Sequence, residues 1–369
     1  MARRLGLSAE QQEKVHTIIS EADGSSGEAG SGGTLQELPE NSVDPLSSTD
    51  EQPDSLPVAT GGGPLGRYKE VGVLGKGGMG EVLRVVDPTL KRAIAMKVIS
   101  AKLADREDLV SRFTEEAQAT AQLQHPGIIT VHELGRLADG RVYFTMQEIK
   151  GRTLRKAISN FHRRPLEERQ KLGADAERDE VSLWRLLEAF RKVCDAVGYA
   201  HSRGVLHRDL KPSNVMMGEF GAVYVLDWGI VKVLKQKDDS IEDAVQTSRS
   251  TEGAHLTRKG QVLGTPKYMA PEQADGEIDQ HSPPTDVYAL GVILFEIFMG
   301  RRPDWGVLDQ ALRLDIMPSP DSPEPILPLD MKQIIRKALA FDIELRYPEA
   351  GALGEAVEKW MIGARSAEG

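Results

Sequence analysis

His207-Arg208-Asp209-Leu210-Lys211-Pro212-Ser213-Asn214 puts a carboxylate, an ammonium and an amide on one short loop. Phosphoryl transfer asks for these groups, because the protein's part in it is to position an incoming hydroxyl and to neutralise charge on the moving phosphoryl group. Asp209 can accept the hydroxyl's hydrogen bond and its proton, Lys211 can sit beside the transferring γ-phosphate, and Asn214 can offer an amide oxygen to Mg²⁺. The reading depends on partners elsewhere in the chain.

Upstream, a weakly alternating run from Tyr68 to Leu74 leads into Gly75-Lys76-Gly77-Gly78-Met79-Gly80-Glu81-Val82 and a second β-rich run to Val86. Glycines at 75, 77 and 80 allow a hairpin backbone to approach phosphates without Cβ interference. A dinucleotide fold would need a helix next. Here a strand and the turn Asp87-Pro88-Thr89 follow, which favours a β-ribbon over the phosphates. The apolar strand Ala93 to Ile99 then carries one lysine, Lys97, which needs an anionic partner. Periodicity selects it. Asp105 to Gln124 reads as a helix with an inward stripe of Leu109, Phe113, Glu116, Thr120 and Leu123, whereas Glu115 lies about 100° away. Glu116 is therefore the expected partner of Lys97, and Lys97 the contact for the α- and β-phosphates.

Beyond these, Val142 to Met146 reads as a strand running into a glycine-containing turn at Gly151. Asn160 to Glu180 is rich in Arg, Glu and Asp and reads as a solvated insertion. An amphipathic helix from Ser182 to His201, buried through Leu183, Leu186, Leu187, Phe190 and Val197, delivers the chain to the loop. Two short strands, Val215 to Met217 and Ala222 to Leu226, lead to Asp227-Trp228-Gly229, and an apolar helix runs from Val287 to Met299. A last helix is expected from Glu355 to Ile362, ending near Gly363.

Composition excludes several classes. With 40% hydrophobic and 28% charged residues and a net charge of −10, the chain is an ordinary globular protein without the broad basic face of a nucleic-acid binder. Its single cysteine, Cys194, falls on a helical stripe and reads as a buried structural thiol. No run is long enough to span a bilayer, and no apolar segment follows the basic N-terminus, so a cytoplasmic location is expected. Residues 1–66 hold three Lys/Arg against eleven Asp/Glu and read as an acidic, largely disordered extension. Within it, residues 8–22 have helical spacing for a transient or docking helix, and 23–66 read as a linker.

The octet fits the pattern H-R-D-L-x-x-x-N. With the glycine-rich ribbon, Lys97 and Glu116, the chain from roughly Arg67 to Arg365 resembles the protein-kinase family, in particular the bacterial Hanks-type (eukaryotic-like) serine/threonine kinases. The resemblance implies a bilobal α+β fold. A small β-rich N-lobe with one main helix would span 67–146, a hinge 147–150 and a mostly helical C-lobe 151–365, with a tail at 366–369. ATP would lie between the lobes, against Leu74, Gly75, Lys76, Gly77, Gly78, Met79, Gly80, Val82, Ala95 and Lys97. Met146 would be the gatekeeper, and the backbone of Gln147, Glu148 and Ile149 would bind adenine.

Asp227, 13 residues after Asn214, occupies the position of a second Mg²⁺ ligand, and Mn²⁺ is an alternative ion. Trp228 replaces the usual Phe and would pack beneath the Lys97–Glu116 pair. From Asp227 to Glu272 the resemblance places an activation segment, with Thr257 first and Thr251 among its neighbours as sites of phosphorylation, read by Arg208. Thr265 would hydrogen-bond Asp209 and Lys211 in a substrate-docking loop, Asp286 would anchor the catalytic-loop backbone, and Arg346 would pair with Glu272. The implied activity is ATP-dependent phosphorylation of serine or threonine in protein substrates, activated by autophosphorylation through a transient homodimer. A scaffold that binds nucleotide without turnover is the alternative, and a small-molecule phosphotransferase a third.

Overall fold

The alternating, β-branched first third of the described chain builds one sheet. Strands β1 (Lys69–Lys76), β2 (Gly80–Asp87) and β3 (Arg92–Ile99) are followed by helix α1 (Glu107–Gln122), β4 (Val131–Arg136) and β5 (Val142–Met146). All five strands pair antiparallel in the order β1-β2-β3-β5-β4. The structure, a computed structural model, describes residues 56–59, 63–165, 182–228, 232–233, 245, 265–303 and 327–368. The expected helix at 8–22, most of the linker, most of the acidic-basic insertion, and Gly229, Thr251, Thr257 and Gly264 lie outside the described residues.

Register sets what the sheet offers. Val82 faces Lys97 and Lys97 faces Phe144, while Arg84 faces Ala95 and Ala95 faces Met146, so two cross-strand rows share one face. Helix α1 begins with Glu107 and Asp108, favourable charges at a helix N-terminus, and buries Phe113, Glu116, Ala117 and Thr120. It is slightly shorter than the expected 105–124 because Leu123 turns to extended backbone three residues before Pro126.

The second lobe is mostly helical. After β6 (Gly151–Thr153) comes α2 (Leu154–His162), capped by Thr153, whose Oγ1 accepts the N–H of Lys156. This corrects the start of the expected insertion: Asn160 to His162 belong to α2, and Phe161 is buried in the core because it continues the stripe of Leu154, Ala157 and Ile158. Helix α3 (Leu183–Ser202) is capped by Ser182 and buries Trp184, Leu187, Phe190 and Cys194. Burial pushes the Cys194 thiol well up, so it stays protonated packing.

Short strands β7 (Val205–Leu206), β8 (Val215–Gly218), β9 (Val223–Val225) and β10 (Lys232–Val233) carry the loops between them. β6, β8 and β9 form one small sheet, and β7 pairs with β10. Helix α4 (Pro271–Ala274) precedes α5 (Pro283–Met299), which is buried on every side from Thr285 to Phe298 and stops at Gly300, whose φ of 68° suits glycine. Then α6 (Leu329–Ala338) and α7 (Ala350–Glu368) close the lobe against α3 and α5. The last helix is longer than the expected 355–362 at both ends. It buries Ala350, Leu353, Val357 and Met361, and Gly363 does not stop it. The arrangement is thus a small β-rich lobe with one main helix and a larger helical lobe. No helix among the described residues is long and apolar enough to cross a membrane.

Part of the expected linker is also structured. Val58 bridges Arg136 in parallel at the outer edge of β4, Arg136 N–H donates to Pro57 O at 2.9 Å, and Ala59 N–H donates to Arg136 O at 2.8 Å. An unpaired sheet edge accepts such an addition whatever the composition of the segment supplying it.

Candidate active site

The lysine and glutamate selected by periodicity meet. Lys97 Nζ lies 2.5 Å from Glu116 Oε1 and 3.2 Å from Asp227 Oδ1. The rings of Phe113 and Phe144 flank the ammonium at 5.9 and 5.6 Å from their centroids. Burial works to lower the Lys97 pKa, but the two carboxylates outweigh it and the net shift is upward. Burial, with the nearby charge of Asp227, pushes the Glu116 carboxyl up against the pull of Lys97, so the two partners' shifts compete over one pair; the 2.5 Å contact to an ammonium held protonated decides for the ion pair. Burial works to raise the Asp227 pKa, but the charge and hydrogen bond of Lys97, with the charges of His207 and Lys211, together outweigh it and hold the carboxyl below the usual range.

The loop of the octet is closed by hydrogen bonds. Lys211 Nζ donates to Asp209 Oδ2 at 2.6 Å and to Thr265 Oγ1 at 2.8 Å, while the Thr265 hydroxyl and N–H both donate to Asp209 Oδ1, at 2.8 and 2.9 Å. A hydroxyl thus sits between carboxylate and ammonium. Asn214 Nδ2 donates to the Asp209 carbonyl at 3.1 Å, which leaves Oδ1 as the atom able to face a cation.

Backbone anchors fix this loop. Asp286 accepts the N–H of His207 on Oδ2 at 2.9 Å and the N–H of Arg208 on Oδ1 at 2.8 Å, and His201 Nε2 lies 2.9 Å from the same Oδ2. Burial would raise the Asp286 pKa, but His201 and these amides outweigh it and hold it low. His207 Nε2 lies 3.0 Å from Leu226 O, and Leu226 N–H donates to Asn214 O at 2.8 Å. Asp227 is thereby tied to the loop that carries Asp209. Trp228 is buried and its ring lies 4.7 Å from His207. Arg346 and Glu272 form the expected pair, and it is bidentate, at 2.8 and 2.9 Å.

The glycines divide by function. The hairpin closes through Gly77 N–H to Gly80 O at 2.8 Å. A Cβ on Gly80 would lie 2.0 Å from Val98 O, so strand packing demands that glycine, whereas Gly75, Gly77 and Gly78 have open space around them. Leu74 and Met79 border this hairpin, and Lys76 reaches Glu81 at 3.4 Å. Val82, Ala95 and Met146 lie on the same face of the sheet as Lys97, and Gln147 N–H bonds to Thr130 O where the chain leaves β5. Glu148 carries a contact that periodicity did not suggest, a 2.9 Å ion pair with Arg84 of β2, which stands beside Ala95. Gln273 was also missed; its Nε2 donates to Arg208 O at 2.9 Å. Neither carries a short sequence signal, since both depend on contacts 64 and 65 residues apart.

A hard divalent cation fits the donors present. Asn214 Oδ1 and the Asp227 carboxylate, whose side chain is 57% exposed and held ionised, are oxygen ligands of the kind Mg²⁺ takes. Among the described residues no cluster of three His, Cys, Asp or Glu side chains competes as a metal site.

Comparison with known proteins agrees with this geometry. Residues 68–354 match the protein kinase domain family. The chain is 36% identical over 301 residues to serine/threonine-protein kinase PknD of Chlamydia caviae, covering 81% of this chain and 31% of that protein. It is 35% identical to PknD of Protochlamydia amoebophila, covering 80% and 30%, and 34% identical to PknD of Chlamydia pneumoniae, covering 81% and 31%. The chain therefore spans about a third of the length of these relatives. With its two lobes and the match over 68–354, this chain belongs to the protein kinase family.

Proposed function

We propose that this chain transfers the γ-phosphate of ATP to serine and threonine hydroxyls of protein substrates. The observation that carries the reading is the triangle of Asp209, Lys211 and Thr265, in which a hydroxyl is held between the carboxylate and the ammonium. Asp209 aligns the substrate hydroxyl and takes its proton as oxygen bonds to phosphorus and ADP leaves; Lys211 balances charge on the transferring group. Lys97, fixed by Glu116, positions the α- and β-phosphates. Leu74, Val82, Ala95 and Met146 border the adenine site, and the glycine-rich hairpin covers the phosphates. The backbone of Gln147 to Ile149 is the assigned adenine contact.

Protein kinases use ATP with a divalent metal, and here Asn214 and Asp227 would hold Mg²⁺, which neutralises phosphate charge when bound. Activation through Thr257 or Thr251, read by Arg208 and achieved in a transient homodimer, is part of the same reading, as is a cytoplasmic location. The relatives' names, serine/threonine-protein kinase, support the transfer to serine and threonine hydroxyls.

Incubating the chain with Mg²⁺, labelled ATP and a serine/threonine peptide library, beside Asp209→Asn, tests the reading. Phosphate on hydroxyls in the parent and none in the variant is expected. Nucleotide binding without transfer in the parent would replace it with the scaffold reading.

A further inference from the structure

Residues 56–59 sit where the catalytic pair can be controlled. Their backbone is stitched to the β4 edge on both sides of Val58. A Cβ on Gly135 would lie 2.9 Å from Pro57 O, so the close approach uses the missing side chain at that position. Val58 is 62% exposed and Pro57 is exposed too, while Leu56 and Ala59 are half-buried against two different clusters. Ala59 packs on the cluster of Leu65, Tyr68 and Tyr143, whereas Leu56 packs on that of Ile99, Phe113, Ala117, Val142 and Phe144.

The second cluster also supports the ion pair. Phe113 lies three residues before Glu116 on the inward face of α1, and its ring stands 5.1 Å from that of Phe144. Both rings flank Lys97 Nζ. Moving Leu56 therefore alters the packing that sets the height of α1 over β3 and β5, and with it the 2.5 Å contact.

We propose that Leu56 is a positioning residue for the Lys97–Glu116 pair, acting through the Phe113–Phe144 cluster, and that residues 56–59 form a strap that holds α1 in its active placement. The proposal rests on the activity reading above for its effect on turnover, but not for its effect on α1. Because the strap is held by an isolated β-bridge and two half-buried apolar contacts, Leu56 and Ala59, its release exposes little surface and is a small perturbation against the stability of the lobe.

The test uses the full chain with Leu56→Asp, the conservative Leu56→Met and, on the exposed side of the strap, Val58→Thr. Hydrogen exchange is followed at the Arg136 amide and along 107–122, together with kcat and the KM for ATP. Leu56→Asp is expected to speed exchange at both places and to lower kcat about fivefold or more, with a smaller change in KM. Leu56→Met and Val58→Thr should match the parent.

Faster Arg136 exchange with α1 exchange and kcat unchanged would overturn the proposal, as would an unchanged Arg136 amide in Leu56→Asp. If the parent transfers no phosphate, the activity reading fails while exchange along α1 still decides this one. Leu56→Ala repeats the comparison should the aspartate variant not fold.

Discussion

Asp286 Oδ1 holds the backbone N–H of Arg208 at 2.8 Å, and Arg208 is a non-glycine residue with φ of 66°. The left-handed region costs an L-residue about 1–2 kcal/mol, so the loop keeps this conformation only because its neighbours enforce it. Gln273 accepts part of the task from the other side, through the Arg208 carbonyl. In Asp286→Asn one carboxylate oxygen becomes a donor facing an amide N–H or His201. Loss of about 2–3 kcal/mol in stability and a fall in kcat larger than any change in the KM for ATP are expected, read by denaturant unfolding and steady-state kinetics.

The Lys97 site is too closely surrounded for a conservative exchange. Its side chain is 12% exposed between two phenyl rings and two carboxylates. Arginine brings a larger planar group and cannot occupy the ammonium's position. Lys97→Arg and Lys97→Met should therefore both lose about 10²-fold or more in kcat while nucleotide binding falls less. Glu116→Gln should lose less than either, because Asp227 still holds the ammonium at 3.2 Å. Phosphopeptide formation and nucleotide titration separate the two effects.

Much of this was legible because local patterns carry it. Glu116 was distinguished from Glu115 by a 100° turn of helix, and the octet placed Asp209, Lys211 and Asn214 within one loop. What was not legible depends on long-range contact. Leu56 to Ala59 look like linker by composition and are structured only because β4 leaves an edge beside them. The Arg84–Glu148 pair joins β2 to the segment after β5 through register, which no single stretch encodes. The glycine rationale also shifted: Gly80 is demanded by Val98 of the neighbouring strand, a contact invisible to the glycine pattern itself.

Trp228 stands where the family pattern has phenylalanine, almost completely buried, and its Nε1 has no hydrogen-bond partner among the described residues. An unsatisfied buried donor costs about 1–3 kcal/mol, comparable to the apolar area lost on trimming indole to phenyl. Trp228→Phe should therefore leave stability within about 1 kcal/mol of the parent, whereas Trp228→Ala should cost about 3–5 kcal/mol. Paired denaturant titrations decide it. A large loss for Trp228→Phe would mean that the indole N–H is satisfied in solution.

The bidentate Arg346–Glu272 pair gives the clearest acid dependence. All five guanidinium N–H groups are used: two on Glu272, and one each on Ala340 O, Pro284 O and Phe341 O. Burial works to raise the Glu272 pKa, but Arg346's hydrogen bonds and charge outweigh it, so the folded value lies below the ordinary 4.5. A carboxylate depressed on folding contributes stability that is fully present above its unfolded pKa and is lost as pH falls through the folded value. The parent should therefore lose stability on acidification below about pH 4.5. Arg346→Met should be less stable by about 3–5 kcal/mol at neutral pH, where it strands a buried carboxylate, and should recover part of that difference as acid neutralises Glu272. The double variant Glu272→Leu with Arg346→Met removes both charges, leaves no stranded ion and should regain much of the loss at neutral pH. Urea unfolding of the three chains between pH 7 and about 3 reads all of this, and a constant gap between parent and Arg346→Met across that range would show that the pair does not titrate as its geometry requires.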